Sequence, residues 1–353
     1  LLPQVGNYNE LLRDRTCYID VRAEGEFARG TLSCAYNLPI LNDEERSRVG
    51  TCYKSNGPEA ATALGHKLVN GAVRDTRIAA WQAQAERAAR EGQPCVIMCW
   101  RGGQRSSLAQ QWLHEGGTTL PRVAGGFKAL RQYCLQSLSD FATASTPWLL
   151  IGGRTGSGKT VVLEDVPGSI DLEGVAHHRG SAFGGYPEGQ PTPINFENTL
   201  AQMALRHSNS VVVLEDEGST IGRLGLPREW HVRMQETPLV QIEVDQQTRI
   251  DHIFAEYVGN NTTSQALRDQ YCDALRRITR RLGGARADEL DVQVRSAFES
   301  GSQDTHRGWI KGLLDSYYDP MYDYQLAKKA QRIVFRGNHQ EVIEFARDYP
   351  GQS

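Results

Sequence analysis

The sequence has no long apolar run. Stretches such as 148–151 (WLLI) and 211–214 (VVVL) last four residues, where a bilayer-spanning helix needs about 20, so no membrane segment is expected. Residues 1–30 have no basic start followed by an apolar core and a small-residue cleavage site, which predicts no secretory signal. Cysteine is sparse: seven residues (17, 34, 52, 95, 99, 134 and 272) are scattered without a C-x-x-C pair. That spacing argues against a disulfide framework and a structural zinc site, and it predicts a reducing cytoplasm and no bound metal. Charge of one sign is also missing. With 39 basic and 42 acidic residues the net is −3, so any nucleic-acid surface is expected to be a local patch, and no DNA partner is indicated.

What is present suits a globular chain. Hydrophobic residues make up 39% and charged residues 23% of 353 positions, and at roughly 150 residues per domain this predicts two domains. Short β-rich runs at 17–22 (CYIDVR) and 94–98 (PCVIM) read as buried parallel strands, with an alanine-rich helical crossover over 59–90 between them. After Cys99, the loop WRGGQR leads into a helix that Ser106 or Ser107 would cap and that Gly116 and Gly117 would end. Residues 121–135 predict a short strand, a glycine turn and a helix, and the polar stretch 137–147 reads as the linker. The domains are therefore placed at 1–140 and 141–353. The second restarts with the strand 148–151, a glycine loop and a short helix stopped by Pro167, followed by strands at 211–214 and 239–244 and helical segments at 246–282 and 322–348.

Two loops carry chemistry. In CWRGGQRS, Cys99 ends a strand, two glycines let the backbone turn its N–H groups inward, and a helix is expected just beyond Arg105. A thiolate there gains from the helix N-terminus and from Arg101 and Arg105, and the same cradle fits a tetrahedral oxyanion. For an isolated cysteine the simpler reading is a buried core thiol. Gly102, Gly103 and the two arginines favour the cradle instead.

The second loop, Gly153-Arg154-Thr155-Gly156-Ser157-Gly158-Lys159-Thr160, fits G-x-x-x-x-G-K-[ST] at every position. It lies between an apolar strand and a helix, so its N–H groups would wrap a phosphate, Lys159 would supply a point charge, and Thr160 would be able to hold Mg²⁺. Glu215 and Asp216, followed by Glu217, come after the VVVL strand, where such proteins keep an acid that orients a metal; a solvated acidic turn explains them equally well.

Two further features are candidates. The segment 171–185 (DLEGVAHHRGSAFGG) presents His178, Arg179 and Ser181 as a substrate loop, while His177 and His178 are too close in sequence to share an ion without further ligands. Arg276, Arg277, Arg280 and Arg281 fall on one helical side. That spacing serves either a solvated face or contact with an RNA backbone.

The motifs IDVR (19–22), EF (26–27), the Gly30 turn, AYNLPI (35–40), the cysteine loop and VAGGF (123–127) resemble a rhodanese domain over about residues 5–140. Arg105 stands six positions after Cys99, one more than the corresponding residue of sulfur-transferring rhodaneses, and that longer loop resembles the dual-specificity phosphatases. Taken with GGRTGSGKT, DLEGVAHHRGSAFGG, NFENTL, VLEDEGSTIG and YYDPMYDYQL, nearly the whole chain resembles the tRNA 2-selenouridine synthase family.

The resemblance implies an α/β fold, with an N-terminal rhodanese-like domain and a C-terminal P-loop NTPase-like parallel-sheet domain carrying helical additions. It implies a transferase that converts wobble 2-thiouridine of tRNA to 2-selenouridine. Selenophosphate, delivered by its supplier, and geranyl diphosphate would be co-substrates, and no cofactor would be tightly bound. Cys99 would either carry selenium or position its donor. The alternatives are a P-loop kinase or NTPase fused to a phosphatase-like cysteine domain, and an RNA-binding module with a rhodanese scaffold.

Overall fold

The computed structural model describes residues 2–351. They form two compact units, one comprising residues up to Phe141 together with Pro191–Arg206, the other Ala142–Gln190 with His207 onward. The first unit runs to Phe141, where the sequence places the boundary at 140, and residues 191–206, assigned by sequence to the second domain, pack in the first. The reason is tertiary. Helix Pro193–Arg206 lies on helix Tyr8–Arg13, where Arg206 Nε donates to the Arg13 carbonyl at 2.8 Å, and Asn198 Nδ2 donates to the Thr31 carbonyl at 2.7 Å. The glycine at position 30 follows from the same packing, since a Cβ there would lie 2.4 Å from Ile194 Cγ2.

The N-terminal unit is built on a parallel sheet of β1 (Gln4–Val5), β2 (Cys17–Asp20), β3 (Ala35–Asn37), β4 (Cys95–Met98) and β5 (Arg122–Val123), in the order β1-β5-β4-β2-β3. Helices Asp43–Leu68 and Gly71–Arg90 make the crossover, which begins earlier than the alanine-rich pattern suggested. Within the first of them, Gly57 breaks the helical path at φ 85°. Trp81 is fully buried, stacks on Trp112 with ring centroids 6.3 Å apart and donates from Nε1 to the Leu38 carbonyl at 2.8 Å. Truncating such a residue typically costs about 3–5 kcal/mol. Helix Gly126–Thr143 runs through most of the stretch read as linker, because its apolar face continues through Leu138 and Ala142.

In the second unit, β6 (Trp148–Gly153), β7 (Val212–Glu215), β10 (Leu239–Ile242) and β11 (Ile333–Gly337) form a parallel sheet in the order β11-β10-β6-β7, and β8 (Thr220–Ile221) and β9 (Leu224–Gly225) form a small antiparallel hairpin. Strand β11 interrupts the helical segment expected over 322–348. Its side chains alternate between half-buried and exposed before Gly337, a period-two pattern overshadowed by the helices on either side. The sheet has its own apolar core, including Leu149, Val213, Val240 and Val342. A separate helical core gathers Tyr271, Leu290, Val294, Trp309 and Leu313.

Candidate functional site

Both motif loops sit at the carboxyl end of a central parallel strand and lead into a helix, the arrangement in which α/β sheets bind ligands. The cysteine loop follows β4. Its helix, Gln104–Glu115, begins one residue before Arg105 with Gly103 as the cap residue. Neither Ser106 nor Ser107 caps it. Ser106 instead lies fully buried in the first turn, its Oγ 3.1 Å from Cys99 Sγ and 3.2 Å from the Gly103 carbonyl, to which it donates. With no side chain capping that end, the first-turn N–H groups stay open toward an anion.

The VAGGF segment explains the loop's shape. The backbone N–H groups of Phe127 and Lys128 donate to the Cys99 and Trp100 carbonyls, each at 2.9 Å, and Arg122 donates to the Gly102 carbonyl. Gly126 has φ 62°, and a Cβ on it would stand 2.3 Å from the Cys99 carbonyl oxygen, so only glycine fits so close an approach. The two arginines diverge. Arg105 is held in a fork by Glu26 at 2.5 and 3.1 Å, and Glu26 also takes Arg46 at 3.0 Å. Burial pulls the Glu26 carboxyl up, but Arg105 and Arg46 outweigh it and hold it below the ordinary value. Arg101 is exposed. Beneath the loop, Arg22 and Asp20 of the IDVR motif form a buried pair at 2.6 Å, and Arg22 lies 4.1 Å over the Phe127 ring. The motif thus braces the loop, and removing one partner of such a buried pair typically costs about 3–5 kcal/mol.

The phosphate loop follows β6 and opens into a cavity of about 640 Å³ lined by Gly153 to Thr160. Two glycines have left-handed backbones, Gly156 at φ 80° and Gly158 at φ 76°. His252 Nδ1 is 3.1 Å from the Gly156 carbonyl and His339 Nε2 is 2.5 Å from the Ser157 carbonyl, so two histidines distant in sequence brace the turn. Arg249, buried, forks onto Asp319 at 2.7 Å on both arms. Lys159 lies 2.8 Å from Glu217 and 3.4 Å from Glu173. Burial alone would lower the Lys159 ammonium, but those carboxylates hold it well above its ordinary value. Burial pushes Glu173 up to about 8 despite Lys159. Burial also raises Glu217, but Lys159 overcomes it and keeps this carboxyl below the usual range.

The acidic trio after β7 divides. Glu215 is fully buried and accepts from the Leu172 N–H at 2.6 Å, with burial and then Asp171 raising its carboxyl well above the ordinary range. Asp216 lines the cavity but is held by Lys329 at 2.6 and 2.7 Å. Glu217, the third of the trio, is the one that meets Lys159. Among the described residues no group of three or more His, Cys, Asp or Glu is placed to hold a metal ion. Glu215 is turned to a backbone amide and away from a metal-orienting role, whereas Asp216 and Glu217 line the same cavity as Thr160, each paired with a lysine.

The structure brings Arg179 and Ser181 to the cavity wall but leaves His178 off it. His178 Nδ1 accepts from the Gly180 N–H at 3.1 Å, and burial lowers its imidazole. Arg179 pairs with Glu256 at 3.0 Å and lies 4.0 and 4.7 Å over the rings of Tyr186 and Tyr257, while Ser181 Oγ is 2.9 Å from Tyr257 Oη. The four arginines lie exposed on helix Gln265–Leu282. Arg277 donates to the Ala182 carbonyl at 3.2 Å, Arg281 reaches the cavity wall, and Arg276 pairs with Asp273. Glu173, Lys329, His252 and His339 are not singled out by the sequence. Nothing local marks them, because each reaches the phosphate loop or its cavity from a different element of the chain.

A family model described as the tRNA 2-selenouridine synthase AAA domain matches residues 146–352. A protein of Cupriavidus necator is 43% identical over 99% of both chains. One of Serratia proteamaculans is 44% identical over 97% of this chain and 95% of its own, and one of Shewanella loihica 41% identical over 97% and 95%. All three relatives are named tRNA 2-selenouridine synthase. A solved N-terminal domain from Clostridium difficile 630, titled as that of an ATP/GTP binding protein, is 30% identical over 37% of this chain and 97% of its own, with a TM-score of 0.33. With full-length relatives above two-fifths identity and a family match across the P-loop unit, the chain belongs to the tRNA 2-selenouridine synthase family.

Proposed function

We propose that this transferase, which makes 2-selenouridine in tRNA, divides the exchange of sulfur for selenium between its two cradles. The P-loop takes the diphosphate of geranyl diphosphate on its N–H groups and Lys159. The sulfur of wobble 2-thiouridine attacks the allylic carbon, the carbon–oxygen bond breaks, diphosphate departs, and the base loses its N3 proton. S-alkylation turns a thiocarbonyl into a thiolate leaving group.

The observation that carries this reading is an apolar crevice beside the phosphate loop. It shares Thr155, Ser181, Tyr257 and Tyr318 with the larger cavity and is otherwise walled by Phe183, Ile253, Trp309, Ile310, Leu313 and Leu314. A ligand with a diphosphate head and a hydrocarbon tail matches the chemistry of that pairing; the crevice itself has only about 20 Å³ open, so the tail would lie along its mouth in the larger cavity or widen it on binding.

In the second stage, the cysteine loop holds the phosphate of selenophosphate on its open N–H groups and on Arg101. Selenium adds at C2 and geranylthiolate is expelled. Water then splits the selenium–phosphorus bond, releasing phosphate. Electron balance favours Cys99 as a positioning group. Selenium in selenophosphate is already fully reduced, so a selenopersulfide on Cys99 would oxidise the thiol by two electrons and require phosphite as the product. The exposed arginines of helix Gln265–Leu282 would contact the RNA backbone, in the cytoplasm where tRNA and the selenophosphate supplier reside.

The test is mass analysis of nucleosides from 2-thiouridine tRNA incubated with geranyl diphosphate, with and without selenophosphate. Geranylated nucleoside alone, turning into 2-selenouridine when selenophosphate is added, is expected. Cys99→Ala should stop selenation and let geranylated tRNA accumulate, and Lys159→Ala should stop both. Loss of geranylation in folded Cys99→Ala overturns the division of labour. No reaction in either tube, with tRNA bound, returns the kinase and phosphatase reading.

A further inference from the structure

Trp100 takes no part in the cradle as described, yet it directly follows Cys99 and is 39% exposed, whereas Cys99 itself is 3% exposed. Its position is fixed from behind. The Lys128 N–H donates to its carbonyl at 2.9 Å, the Phe127 ring lies 5.7 Å away at 40°, and the Arg22 guanidinium is 5.9 Å from its ring. One side of the indole packs on the loop's own support, and the part left in water forgoes hydrophobic stabilisation and is free to take a partner.

The neighbours indicate what the ring is for. Next to it stand exposed Arg101 and the uncapped first turn of helix Gln104–Glu115, groups that attract an anionic strand; an apolar protein surface would find little to match them. Exposed aromatics flanked by cationic and N–H donors are how proteins hold unstacked nucleobases. We propose that Trp100 is the stacking platform for the wobble pyrimidine, setting the base so that its C2 faces the cysteine loop. The inference rests on the reading of that loop as the exchange site, and it assigns Trp100 a positioning role.

The experiment compares two anticodon stem-loops, one with 2-thiouridine at the wobble position and one abasic there, titrated against the full-length protein. The wild type should bind the base-bearing RNA about tenfold more tightly, within the range found for stacking of one base on an aromatic side chain. Trp100→Ala should bind both RNAs alike and raise KM for tRNA far more than it lowers kcat, and Trp100→Phe should keep most of the discrimination. A folded Trp100→Ala protein that still prefers the base-bearing RNA by the wild-type factor overturns the platform. Cys99→Ala run in parallel separates the two ideas: it should discriminate between the RNAs like the wild type while failing to selenate. Selenation by Cys99→Ala would overturn the exchange-site reading, whatever Trp100 does to binding.

Discussion

The cysteine loop and the phosphate loop are the same device made twice, and they differ in what fills them. Each follows a central parallel strand and turns into a helix through left-handed glycine, Gly102 in the first and Gly156 and Gly158 in the second. In the cysteine loop the fixed charges are already neutralised: Arg105 is committed to Glu26 in a fork, and Asp20 and Arg22 pair beneath. The binding surface that remains is backbone N–H groups and Arg101. In the phosphate loop, Lys159 faces the cavity but is occupied by Glu217 and Glu173. An anion entering there has to displace the Glu217 carboxylate from the lysine, and that of Glu173 once it ionises, so one cradle is preformed and the other is an ion exchanger. A small, doubly charged donor suits the first. A larger diphosphate, whose apolar tail brings additional binding energy, suits the second.

The largest expected effect comes from swapping a single glycine in each loop. Gly126→Ala would place a methyl against the Cys99 carbonyl at a φ of 62°, and Gly158→Ala would place one 2.9 Å from His339 Nε2 at a φ of 76°. Each substitution combines backbone strain of about 1–3 kcal/mol with a steric clash that shifts the loop. Selenation should fall by about 100-fold or more in Gly126→Ala while geranylation persists, since a misplacement of about 1 Å costs roughly that much. In Gly158→Ala both reactions should fall, and binding of inorganic diphosphate, measured by calorimetry, should be lost. If Gly126→Ala also abolished diphosphate binding, the loops would not be separable and the comparison would fail.

The shared part of these loops was legible in the sequence and the differing part was not. Glycines at 102, 126, 156 and 158 between an apolar strand and a helix announce the backbone path, because few other residues permit their left-handed conformations. What occupies each loop depends on residues far away in sequence: Glu26 for Arg105, Glu173 and Glu217 for Lys159, His339 for the Ser157 carbonyl. Local pattern carries no record of such partners. Ser106 was misread for the opposite reason, since its type suits a cap, but Gly103 already occupies that position and Ser106 turns inward to the thiol. The packing of helix Pro193–Arg206 with the N-terminal unit is likewise written in Gly30 only after Ile194 is seen beside it.

An intermediate effect would sharpen the ion-exchange picture. Burial raises Glu173 to about 8, so below that pH it is largely protonated and Glu217 alone pairs with Lys159. As pH rises through about 8 it ionises and opposes an incoming diphosphate. Affinity for inorganic diphosphate should therefore drop by about tenfold between about pH 7 and about pH 9, once the ligand's own ionisation is cancelled against Glu173→Gln, whose affinity lacks this step. The sign for stability is the same. A carboxyl raised from 4.5 in the unfolded chain to about 8 in the fold contributes stability that is fully present below the lower value and is lost as pH climbs through the upper one. Glu173→Gln should remove that part of the pH dependence in denaturant titrations. Parallel profiles for the two proteins would place the titrating proton elsewhere.

The smallest effect concerns one proton in the cysteine loop. Ser106 has a single hydroxyl hydrogen and two neighbours within reach, the Gly103 carbonyl at 3.2 Å and Cys99 Sγ at 3.1 Å. With a thiol, the chain of donors is complete, since the S–H gives to Ser106 and Ser106 gives to Gly103. With a thiolate, Ser106 has to turn its hydrogen to the sulfur and release the carbonyl. Either way the hydroxyl orients Cys99 from inside, in a position no ligand reaches. Ser106→Ala removes one buried hydrogen bond, about 1 kcal/mol, and should slow selenation about fivefold with geranylation unchanged, as read by nucleoside mass analysis. Equal slowing of both reactions would show that Ser106 supports the unit as a whole, and the independence of the two cradles would have to be given up at this residue.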